Sequence, residues 1–139
     1  MLVNTGRIAA LDYLLDIAVT SITIRLYQND FAGGNAAATM ASLTEADFAG
    51  YAAKDAVEFP AAAINGDGAG ESLSDTLTWT NTAPSGSQTI YGIYATVFDP
   101  VSEEEVLFWY DRFAASITLA AAGQVVEKKV KFLDTNYAP

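Results

Sequence analysis

Three observations predict an all-β fold, an antiparallel β-sandwich of the jelly-roll kind with about eight strands. Short apolar stretches, alternating or continuous, recur along the chain. Gly, Pro, Asn and Asp turns separate them, and β-branched and aromatic residues are concentrated within them. A helical period is sustained only near the N-terminus, and there is no fixed-period repeat. At 139 residues the chain has the size of one domain. We read 1–20 as an N-terminal helix or arm and 21–139 as the sandwich.

The stretch 87–99 (SQTIYGIYATVFD) organises the rest. It carries Ile90, Tyr91, Ile93, Tyr94, Ala95, Val97 and Phe98 with no charge before Asp99, so both faces of an extended strand are apolar. That marks a central strand covered on both sides. A helix is the competing reading of an apolar run. Gly92 in the middle, and turn chemistry at Ala83-Pro84-Ser85-Gly86 and Asp99-Pro100, favour the strand.

In chain order, Asn4 or Thr5 caps a helix over 7–16 in which Ile8, Leu11 and Leu15 recur at helical spacing. From 21 to 29 the period becomes two, with Ile22, Ile24 and Leu26 against Thr23, Arg25 and Tyr27, a strand with one covered face. Small residues up to Ala38 form a surface loop. Thr44, with Glu45 and Asp47 behind it, starts a single helical turn that directs Phe48 and Tyr51 inward, and a strand over 53–59 ends at Pro60. A glycine-rich loop at 65–70 leads to an alternating strand over 73–81, with Leu73, Asp75, Leu77 and Trp79 on one face. After the central strand come an acidic turn at 100–105, a strand over 106–113, a short strand at Ile117 and Leu119, and a last strand. In the last strand Val126, Val130 and Phe132 point in while Glu127, Lys129 and Lys131 point out.

The chain has 17 acidic and 7 basic residues, a net charge of -10, which repels phosphate backbones and anionic lipid. Nucleic-acid and membrane partners are therefore not expected. The absence of cysteine and histidine removes disulfides, thiolate sites and His-based triads or metal centres. The first 19 residues match neither a signal peptide nor a spanning helix, which places the site of synthesis and assembly in a cytoplasm.

Asn65, Asp67, Glu71 and Asp75 offer the oxygen ligands that calcium takes. They lack the regular acidic spacing and terminal bidentate Glu of a calcium loop, so a solvated turn is expected and no metal or cofactor is assigned. Glu103-Glu104-Glu105 reads as a solvated charge run. Carboxylate pairs for hydrolysis need a cleft and a set separation that no spacing here implies, so no catalytic residue is assigned. Tyr27, Tyr91 and Trp109 are candidates for stacking on sugars, although tyrosines in strands ordinarily pack in a core or interface. Four of the 7 basic residues follow residue 111, which makes Lys128, Lys129 and Lys131 candidate contacts for an acidic molecule, together with Leu2, Ile8, Leu11 and Leu15 of the N-terminal segment.

Four segments, Leu26-Tyr27-Gln28-Asn29-Asp30, Leu43 through Tyr51 (LTEADFAGY), Thr78-Trp79-Thr80-Asn81-Thr82 and Gln88 through Tyr94 (QTIYGIY), carry a resemblance. Their order and spacing are similar to a family of small tailed-bacteriophage virion proteins in which an LYxND strand end, a TExxFxGY segment and a Q-T-I-x-G-Y-like strand recur. The resemblance covers about 21–119. It implies a virion structural role without catalytic residues: a capsid decoration (cement) protein, with a tail, fibre or glycan-binding module as the alternative. The partners it implies are the major capsid protein and further copies of the chain, as a homotrimer or homodimer.

Overall fold

The computed structural model describes residues 22–134, apart from 36, 56, 84 and 100–102. It contains nine strands among these residues. The longest two, β6 (Gln88–Asp99) and β7 (Glu104–Leu119), form an extended antiparallel hairpin. On the other side of β6 lies β1 (Thr23–Tyr27), and β2 (Lys54–Asp55) pairs β1 in turn, giving a sheet of order β2-β1-β6-β7. The second layer holds β3 (Ala63–Ile64), β4 (Gly70–Leu73) and β9 (Lys131–Asp134) in one sheet, with β5 (Leu77–Thr80) and β8 (Val125–Lys128) in another. All pairings are antiparallel.

The core lies between these layers. Ile22 just before β1, Ile24 and Leu26 within it, and Ile90, Ile93 and Ala95 of β6 meet Trp79, Val126, Val130 and Phe132 from the second layer. Trp79 is buried, and its indole N–H donates to the Ala52 carbonyl at 2.9 Å, which satisfies the ring's one polar atom. The opposite face of the first sheet is also covered. Tyr27, Leu43 and Tyr94 form a second cluster there, packed by Phe31, Met40, Tyr91, Leu107 and Tyr110. The segment between β1 and β2 supplies that cover, so β6 is apolar on both faces for the reason its sequence suggested.

Several elements differ from expectation. The predicted strand over 73–81 is two strands, because residues 74–76 face only 129–130 between the Leu73↔Lys131 and Leu77↔Lys128 pairs. The extra residue makes a bulge that reverses which side chains point inward: Ser72 and Ser74 are buried before it, Trp79 after it. Ser74 holds the joint, its N–H donating to the Val130 carbonyl at 2.9 Å and its hydroxyl accepting from the Val130 N–H at 2.9 Å. The last strand is divided at the same joint but keeps its phase, with Val126, Val130 and Phe132 inside. The strand expected over 53–59 pairs only at Lys54 and Asp55. Beyond it Val57 enters the core and Phe59 packs on Phe132, its ring centroid 4.8 Å away.

The helical turn expected at Thr44 is extended backbone that completes the edge of β1. Gln28 N–H donates to the Thr44 carbonyl at 2.8 Å and Ala46 N–H to the Leu26 carbonyl at 2.9 Å, with Glu45 bridging Tyr27. A single 3-10 turn forms earlier, at Met40–Ser42. Ile117 and Leu119 belong to β7 and are not a separate strand. The helix predicted over 7–16 lies outside the described residues.

Candidate functional site

Two polar assemblies stand out, one on each side of the first sheet. The first is built on Arg25, whose position in β1 points away from the core and beneath the covering segment. Its guanidinium bonds both Glu45 carboxylate oxygens at 3.2 and 3.1 Å and Glu105 at 2.7 Å. Glu105 also accepts from the Thr96 hydroxyl, and the Tyr51 hydroxyl donates to Glu45 at 2.9 Å while accepting from the Leu26 N–H at 3.2 Å. The cluster thus ties the covering segment, β1, β6 and the start of β7 together.

Its electrostatics follow from that geometry. Burial opposes the charge on Arg25, but the Glu105 hydrogen bond and the Glu45 and Glu105 charges outweigh it and hold the guanidinium above its ordinary value. Burial likewise opposes ionisation of Glu105, and the Thr96 and Arg25 bonds overcome it, leaving the carboxyl below its usual range. Beside them Tyr94 is pushed up to about 12, chiefly by burial. Every carboxylate in the cluster is engaged by a donor, so the arrangement is a structural tie with no free acid or base facing a cleft. Glu105 stays partly exposed, as a solvated charge run implies, but Arg25 and Thr96 also hold its carboxylate.

The second assembly is a groove of about 750 Å³ between β7 and the β8–β9 joint. Lys128, Lys129 and Lys131 rim it, and Trp109, Phe113 and Phe132 line its floor. The alternation that buries Val126 and Val130 turns Lys129 and Lys131 outward. Lys128 Nζ sits 4.3 Å from the centre of the Phe113 ring, a cation–π contact, and Lys131 Nζ lies 3.8 Å from Glu71. Trp109 and Phe132 meet edge to face at 5.6 Å. Arg112 also lines the groove, but its guanidinium is held by Asp30 at 2.6 Å and the Phe31 carbonyl at 2.8 Å. Among the described residues Asp111 is the one acidic residue in the lining.

The structure therefore brings together the three lysines singled out in the sequence and adds Trp109, Asp111 and Phe113, which sequence reasoning had not joined to them. Leu2, Ile8, Leu11 and Leu15 lie outside the described residues. The chain matches no family model, no curated protein and no solved structure.

Of the calcium candidates, Asn65 meets Asp67 and Glu71, but by bonds within the turn. Asn65 spends its amide locally: its carbonyl oxygen accepts from Asp67 N–H at 3.0 Å and Ala69 N–H at 3.1 Å, and its nitrogen donates to Glu71 at 3.1 Å. Among the described residues no group of three acidic side chains is placed to hold a metal. The sugar-stacking candidates form no exposed platform, although Tyr91 packs against the cluster that holds Tyr27. Tyr27 is fully buried, Tyr91 lies under the Arg112 guanidinium at 5.3 Å, and Trp109 packs against Phe132. No helix among the described residues is long and apolar enough to cross a membrane.

Proposed function

We propose that this chain is a bacteriophage virion structural protein, a capsid decoration protein that binds the outside of the assembled head and bridges neighbouring capsomers. The observation that carries this reading is the convergence of the four segments behind the family resemblance. Tyr27 pairs with Gly92 and bridges Glu45, while Gly50 packs against Thr80 and Thr82. The shared pattern is thus the pattern of a rigid scaffold and not of a chemical site, as suits a protein whose work is to adhere. The major capsid protein is the partner in this reading, and many weak copies of one contact sum over the lattice.

Differential scanning calorimetry of purified heads with and without the protein tests it. A higher particle melting temperature with the protein bound supports cementing. An unchanged melting temperature, or a location on the tail by immunogold labelling, overturns it.

A further inference from the structure

Of the chain's 7 basic residues, four line a single groove: Arg112, Lys128, Lys129 and Lys131. Arg112 is committed to Asp30 and the Phe31 carbonyl, so the lysines set the sign of the rim. Lys129 and Lys131 are exposed, and the contact of Lys128 with the Phe113 ring holds its amine in place without neutralising it. On a molecule of net charge -10 this is a local reversal of sign. The floor has its origin in the strand ladder. Between the Ile90↔Ile117 and Gly92↔Arg112 pairs one residue of β6 faces four of β7, so 113–116 bulge out of register. The bulge turns Phe113 inward beneath Lys128 and leaves Ala114 exposed in the wall, where a methyl group takes little room.

We propose that this groove is a docking site for an acidic segment of a partner protein, whose carboxylates meet the lysines while one of its apolar side chains sits on the floor. Charge complementarity selects the sign of the occupant. The volume of about 750 Å³ and the aromatic floor select one that carries apolar side chains as well. A nucleic-acid strand fits less well, because its bases need open ring faces on which to stack. Here Phe113 lies under Lys128, and Phe132 is packed by Phe59, Phe108 and Trp109. Asp111 in the lining repels phosphate and offers an acceptor to peptide N–H groups.

An NMR titration of the isotope-labelled full-length chain tests the site, using short peptides that each carry one Leu, Phe or Trp flanked on both sides by Glu and Asp. The chain has 2 tryptophans, so the indole N–H signals report position: Trp109 should shift and the buried Trp79 should not. Affinity should fall about tenfold or more in Lys128→Glu with Lys129→Glu, or when Gln and Asn replace the acidic residues of the peptide, and it should weaken as salt rises. Peptides with Gly in place of the apolar residue should also bind more weakly. If circular dichroism shows that the reversed variant misfolds, Lys128→Gln with Lys129→Gln and the salt series carry the test. No shift at Trp109 with any acidic peptide at millimolar concentration, equal affinity for the neutral peptides, tighter binding of a single-stranded oligonucleotide, or a Trp109 signal that moves with protein concentration alone overturns the proposal. The readout involves no capsid, so a head melting temperature that the protein leaves unchanged counts against head binding and not against the groove.

Discussion

The Tyr27 ring lies against Gly92, so close that a Cβ at Gly92 would overlap both the ring and the Asp111 carbonyl. The two residues face each other across the β1–β6 pair, and the absent side chain is what lets the tyrosine cross β6 toward β7. Gly92→Ala must displace backbone as well as a ring. We expect a loss of about 2–3 kcal/mol, read as a lower urea midpoint with an unchanged slope.

Two tyrosines should respond oppositely to loss of the hydroxyl. Tyr51 accepts from Leu26 and donates to Glu45, so Tyr51→Phe should cost about 1–2 kcal/mol. The Tyr27 hydroxyl is buried without a partner among the described residues, so Tyr27→Phe should be neutral or stabilising. Thermal melts of the two variants decide this, and equal losses would contradict the assignment.

Removing Arg25 strands two carboxylates that remain partly solvated, at 38 and 39% exposure. Solvent therefore tempers the loss, and Arg25→Ala should cost about 2 kcal/mol by urea titration.

Stability should fall at both ends of the pH scale for separate reasons. Glu105 ionises more readily folded than unfolded, so its contribution is present above the ordinary Glu value of about 4.3 and disappears as pH falls through the lowered folded value. Glu105→Gln should flatten that acid limb. Tyr94 and Tyr27 are raised to about 12, so folding is favoured below the free tyrosine value of about 10 and loses ground as pH climbs toward 12. Tyr94→Phe should flatten the alkaline limb, and urea midpoints measured against pH report both.

The turn at Asn65 should be indifferent to calcium. Its carbonyl oxygen already takes two backbone donors, and Glu71 faces Lys131. Millimolar calcium should leave the melting temperature unchanged, while Asn65→Ala should lower stability by about 1 kcal/mol. A calcium-dependent rise would reinstate an ion site.

Much of the scaffold was legible in the sequence, because burial on one face imposes a period of two and burial on both removes polar residues altogether. The middle of β6 shows the second case; Ile22, Ile24 and Leu26 show the period of two, yet the single covered face expected there was wrong, because Thr23 and Tyr27 on the other side are buried as well. The bulge at Ser74 was not legible, since it depends on a hydroxyl meeting Val130 from a distant part of the chain. The turn predicted at Thr44 failed similarly: local capping residues pointed to a helix, and pairing with β1 overrode them. Of the groove, the lysines were visible as a charge cluster. Trp109 and Phe113 read as ordinary strand residues, and only the meeting of β7 with the β8–β9 joint sets them beneath the amines.

The segment that roofs Tyr27 and Tyr94 also leaves the two broad sides of the molecule unlike. One is closed by that roof, while the other presents Thr78, Thr80 and Glu127 to solvent beside the exposed Leu73 and Val125, so the oily surface there is broken into single residues set among polar ones.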